Sequence, residues 1–240
     1  MEIGRIDFIS AYCDRWCERC AFTSRCSTFA CTAAIAMCGD AEEGFELAVG
    51  HPRSPGGSEG EREWHVPDFD NQIPTDEEMA EFSRLEDARR RRIEATPLSR
   101  MAWTFTRLSY EWIQRREELD HHIDPIVREA FQIACWDSSL ITVKLHRAMD
   151  GHDRFKRHEE EADDGRIQND WNGSAKVAIL CIQRSLDAWT APGSALGDAA
   201  AASLADALSH LHRAVIDQFP DAMKFVRPGF DDIDAAGVSR

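Results

Sequence analysis

Along the second half of the chain, apolar residues recur at helical spacing. Ile126, Ala130, Ile133, Ala134, Ile141, Leu145 and Met149 follow a 3.6-residue stripe. Asp124-Pro125 ahead of them supplies an N-cap followed by proline at the first helical position, and Gly151 offers a stop. A second stripe, Ala175, Ile179, Ile182, Leu186 and Trp189, opens at Asp170 and closes at Pro192-Gly193. A third, Leu204, Leu208, Leu211, Val215 and Phe219, starts at Asp198 or Ser203 and ends at Pro220. The charged stretch 151–169 between the first two reads as a solvated loop. Asp137 stands at an otherwise apolar stripe position with Lys144 and Arg147 on adjacent turns, which suggests a buried acid paired with one of these cations, either as a catalytic group or as a structural ion pair.

Upstream, Thr75-Asp-Glu-Glu78 fits a capping box and predicts a helix to about Glu94. Met101, Phe105, Leu108, Trp112 and Leu119 predict another after Pro97. Residues 41–75 carry prolines and glycines without a hydrophobic period and read as a linker. Ser27 to Cys38 is alanine-rich, with Gly39 placed to stop a helix. No segment alternates as a strand with hairpin chemistry. The expected fold is therefore all-α: an antiparallel bundle of four or five helices over 76–220, preceded by a cysteine-rich head at 1–40 and the linker, and followed by a tail at 221–240.

The composition narrows the function. The 240 residues are 43% hydrophobic, enough for a core, and the net charge is −15. That charge argues against general binding to nucleic acid or an anionic membrane, which positive charge drives. No apolar run approaches the ~20 residues a bilayer span requires. The N-terminus lacks the charged-then-apolar order of a secretion signal, so a cytoplasmic protein is expected. In a reducing cytosol, clustered cysteines serve as metal ligands or redox thiols more often than as disulfides.

Six of the eight cysteines fall within the first 38 residues, and four form Cys13-x3-Cys17-x2-Cys20-x5-Cys26. Thiolates are soft ligands for zinc, copper(I) or iron–sulfur clusters. Structural zinc sites usually draw on two separated pairs, whereas one compact run with short, unequal gaps suits a cluster with several iron corners. Cys13, Cys17, Cys20 and Cys26 are accordingly the expected ligands of a [4Fe–4S] cluster, with zinc as the alternative metal. Arg15, Arg19 and Arg25, interleaved with them, are candidates for tuning the potential of an anionic cluster. Tyr12, Trp16 and Phe22 are expected to dock this segment on the helices. Cys31, Cys38, Cys135 and Cys181 read as small hydrophobic residues.

Cys17-x2-Cys20-x5-Cys26 resembles the C-x2-C-x5-C half of the [4Fe–4S] loops in endonuclease III-type DNA glycosylases and in WhiB-like regulators. The likeness covers about ten residues, and the Cys13–Cys17 gap is shorter than in either family. Cys13-x3-Cys17-x2-Cys20 also matches the spacing of radical S-adenosylmethionine enzymes, whose β/α barrel this pattern does not support. The resemblance implies the cluster, and no particular activity.

A second metal in the helical body is a further expectation to test. Glu118-Leu-Asp-His121 matches the Glu-x-x-His element of di-iron bundles once, with Glu111 and His146 as possible companions. Three functions follow. The first is electron transfer or redox sensing with a protein partner. The second is a zinc-stapled interaction scaffold, and the third a metalloenzyme with a further site in the bundle. Oligomeric state, substrate and any catalytic residue are not specified by the pattern.

Overall fold

The computed structural model describes residues 4–49, 74–122, 124–157, 167–190 and 199–231. Among these residues there are seven α-helices and no strand: α1 Ser27–Cys38, α2 Ala41–Val49, α3 Asp76–Glu94, α4 Pro97–Gln114, α5 Pro125–Lys156, α6 Asp170–Thr190 and α7 Ala199–Gln218. They divide into two compact units. One comprises Met1–Ile6 and Cys20–Arg90; the other comprises Asp7–Arg19 and Arg91–Arg240.

The larger unit is a four-helix bundle in which α4 packs on α5, α5 on α6, α6 on α7, and α7 back on α4. Cross-helix pairs run in opposite sequence directions. From α4 to α5 they are Thr96–Met149, Ser99–His146 and Thr106–Ser138; from α5 to α6 they are Arg147–Asp170 and Asp137–Arg184. These helices are therefore antiparallel, as the stripes and short connections predict. The fully buried side chains of Phe105, Ile141, Leu145, Ile179, Ile182, Leu208, Leu211 and Trp189 fill the centre. Each such side chain contributes about 1.5–3 kcal/mol by leaving water. A polar seam sets the α4–α5 register: Thr142 Oγ1 donates to the Ala102 carbonyl at 3.0 Å and meets Thr106 Oγ1 at 2.7 Å.

Helix starts follow the expected caps. Asp124 accepts from the Ile126 N–H, Thr96 from the Ser99 N–H, and Thr75 and Glu78 close their box reciprocally. Two boundaries differ from expectation. Gly151 does not end α5, which runs on to Lys156; Asp150 pairs with Arg154 one turn on, and Gly151 lies in ordinary contact with Trp171. Ala41–Val49, read as linker, is helical and opens with Asp40 capping the Glu43 N–H. Residues 50–73 of that linker lie outside the described residues, as do 232–240 of the 221–240 tail and the glutamate run of the 151–169 loop.

In the smaller unit, α1 ends at Gly39, whose φ of 74° is the left-handed stop anticipated for it. The next helix returns so closely that a Cβ on Gly44 would lie 2.5 Å from the Ile35 backbone. Ala34 is the buried residue of α1, so Cys31 and Cys38 are half-exposed instead of core.

Candidate metal centre

The expected head is shared between the units. Asp7–Arg19, with Cys13 and Cys17, belongs to the bundle unit; Cys20 and Cys26 belong to the smaller one.

The Asp7–Arg19 segment is a strap laid across α5 and α6, and its fastenings explain the position of Cys13 and Cys17. Tyr12 OH donates to Asp170 at 3.2 Å, and its ring meets Phe225 with centroids 4.7 Å apart. Both rings press on Gly173, where a Cβ would lie 2.4 Å from the Tyr12 ring. Lys144, buried on α5, donates its Nζ to the Ala11 carbonyl at 3.0 Å. Trp136 Nε1 donates to the Asp14 carbonyl at 2.8 Å, and Trp16 stacks on Trp136 with centroids 5.2 Å apart. Arg184 reaches Asp14 at 2.6 Å and binds both oxygens of Asp137. Between the two cysteines, Arg15 takes a φ of 59°, a left-handed conformation costing a non-glycine residue about 1–2 kcal/mol. The strap turns sharply there.

Asp137 is thus the buried acid with a cation partner that the stripe suggests. The partner is Arg184, while Lys144 serves the strap. Burial pushes the Asp137 carboxyl up even though Arg184 opposes the shift. Arg184 is pushed up as well: desolvation works against this, and its bonds to Asp137 and Asp14 outweigh it.

The four thiols have distinct surroundings. Cys13 Sγ donates to the Ser10 carbonyl at 3.5 Å. Cys17 opens a 3-10 turn through Arg19. Cys20 Sγ accepts the Phe22 N–H at 3.4 Å, and Cys26, the N-cap of α1, accepts the Phe29 N–H at 3.4 Å. All four are half-buried, and all eight cysteines are free. The donor chemistry therefore suits a thiophilic metal. Among the described residues, no group of three or more His, Cys, Asp or Glu side chains is placed to hold a metal ion.

The arginines divide by role. Arg19 pairs with Glu129, bonds Gln132 at 2.7 Å, and lies 3.7 Å above the Trp16 ring. Arg25 donates to the Gly4 carbonyl at 3.0 Å. Both fasten backbone and rings, whereas Arg15 is exposed and its carbonyl accepts the Cys17 N–H at 3.0 Å. The residues read as a second metal site are held separately. Glu111 pairs with Arg107, and Glu118 and His121 sit on the 3-10 turn Glu117–His121. His146 meets Ser99 Oγ at 3.1 Å and the edge of Trp103.

Cys135 and Cys181 are the inert pair. Burial, then Asp120, pushes the Cys135 thiol up to about 11; burial, then Asp137, pushes Cys181 up further. Ser174 is fully buried inside α6. The strap's dependence on Lys144, Arg184 and Gly173 left no local signal, because each partner is more than a hundred residues away in sequence.

Among the described residues, no helix is long and apolar enough to cross a membrane. Comparison with protein families, with curated proteins and with solved structures finds no match for the chain.

Proposed function

We propose that the chain is an iron–sulfur protein in which Cys13, Cys17, Cys20 and Cys26 hold a [4Fe–4S] cluster, and that it transfers electrons or senses redox state with a protein partner in the cytoplasm. The observation that carries this reading is the compact run of four free, half-buried thiols, two of which already accept backbone N–H groups at sulfur. Such a cluster supplies one-electron exchange at a potential set by charge, hydrogen bonds to sulfur and solvent exposure. The residues of this chain contribute donors to the Cys20 and Cys26 sulfurs. They also supply a strap whose buried Lys144 lies within electrostatic reach of Cys13.

The test is the visible spectrum of anaerobically purified protein. A broad band at roughly 400 nm is expected, and it should be lost in Cys20→Ala. Wild-type absorbance retained in that variant would remove Cys20 from the ligand set and the assignment with it.

A further inference from the structure

Beside the strap, within the bundle unit, lies a cleft of about 730 Å³ that nothing above uses. Its walls come from three places: Trp16, Glu18 and Arg19 of the strap, Glu117 and Asp120 of the 3-10 turn, and Trp136 on α5. We propose that this cleft binds an organic cation, a protonated alkylamine or a guanidinium group.

Charge and shape point the same way. Glu18, Glu117 and Asp120 bring three carboxylates to the walls. The cation on the wall, Arg19, has its charge met by Glu129 outside the cleft, so it does not neutralise them. Glu18 and Glu117 make no hydrogen bond or ion pair with any described residue, and Asp120 only accepts from Gln132 at 3.0 Å. The two indoles are stacked within 14° of parallel; Arg19 at 3.7 Å and Arg184 at 5.4 Å already place guanidinium groups over the buried Trp16 ring, so half-buried Trp136 is the indole a further cation would meet.

The same walls disfavour a bare metal ion, because their acids do not converge at ligand distance. A cation of several atoms fits better, since it can touch an indole and a separated carboxylate at once. The strap wall includes Glu18 and Arg19, which lie between Cys17 and Cys20 in sequence, so binding is measured on the protein as purified and read separately from the iron count.

The test is calorimetric titration of the full chain with two probes, agmatine and acetyl-Gly-Arg-Gly-amide. Saturable binding is expected, weakened at least about tenfold when Glu18→Gln and Glu117→Gln are combined. Both side chains are exposed, and an unchanged melting temperature establishes that the variant is folded. On the wild type, raising salt from about 0.05 to 0.5 M should weaken binding in the same direction. Tighter binding of agmatine identifies a free small cation as the natural ligand; tighter binding of the peptide identifies a basic side chain of a protein. No saturable heat from either probe at about 10 mM, or equal binding by the double variant, would overturn the proposal.

Discussion

Arg184 holds Asp14 at 2.6 Å while its other nitrogens grip Asp137, so one guanidinium joins the N-terminal strap to the middle of the bundle. The two carboxylates are not equivalent. Asp137 is fully buried, whereas Asp14 retains solvent contact. Removing the cation strands a buried charge, and removing Asp14 only loosens a half-exposed pair.

Arg184→Met should therefore lower stability by about 3–5 kcal/mol, and Asp14→Asn by under about 1 kcal/mol, read from thermal or urea unfolding. Adding Asp137→Leu to Arg184→Met should restore much of the loss, because an apolar pair needs no counter-charge. In the single variant Asp137 keeps its desolvation and loses its cation, so its folded-state pKa rises further above the unfolded one. The deficit should then shrink as pH is lowered. Equal losses for Arg184→Met and Asp14→Asn would contradict the assignment.

Gly173→Ala should destabilise even though alanine is the better helix former by about 1 kcal/mol. The added Cβ would stand 2.4 Å from Tyr12 and 2.8 Å from Phe225, both held in place by their own contacts. Overpacking of this kind costs about 1–3 kcal/mol and should appear as a lower melting temperature. Pairing it with Tyr12→Ala and Phe225→Ala should bring back the propensity gain. A higher melting temperature for Gly173→Ala alone would mean that the strap does not pack there.

Asp231, paired with Lys176 on α6, makes acid stability testable. It is desolvated, yet its bonds to Arg227 and Lys176 outweigh this and hold its carboxyl at about 2. A depressed folded-state pKa gives stability that is present above the unfolded value of about 3.9 and lost as pH falls toward 2. The melting-temperature gap between wild type and Asp231→Asn should accordingly be constant above about pH 5 and close between pH 4 and 2. A gap unchanged down to pH 2 would contradict the pairing.

Thiol chemistry separates the cysteines. In metal-stripped, folded protein at pH 8, iodoacetamide should modify the six head cysteines first, Cys135 slowly, and Cys181 only after unfolding. Burial keeps the last two protonated, and the thiolate is the nucleophile. Peptide mass spectrometry over a time course reads the order. Modification of Cys181 at the rate of Cys20 would place it outside the core.

The bundle was legible because its helices carry their own signals: the cap at Asp124 and stripes such as Leu204 to Val215. Asp137 was legible as a buried acid because it interrupts a stripe, although its partner was not. Arg184 follows Gln183 on the opposite helix, and nothing near position 137 names it. The strap was legible only as docking aromatics, Tyr12 and Trp16. Its real fastenings, Lys144 to Ala11 and Trp136 to Asp14, are backbone carbonyls receiving distant side chains, and a carbonyl leaves no trace in a sequence. Gly151 misled because a helix stop and a tolerated helical glycine have the same letter; the contact with Trp171 and the Asp150–Arg154 pair decide between them. The spacing of the four cysteines is the ground on which a soft metal is proposed, while their individual partners, such as the Phe29 N–H at Cys26, emerge only from the backbone path.

The central claim is most directly tested by counting iron, acid-labile sulfide and zinc per chain in anaerobically purified protein. The account predicts about four irons and four sulfides with a brown chromophore, falling together when any of Cys13, Cys17, Cys20 or Cys26 is replaced. About one zinc per chain, without sulfide or colour, would contradict the redox function and leave a metal-stapled helical scaffold.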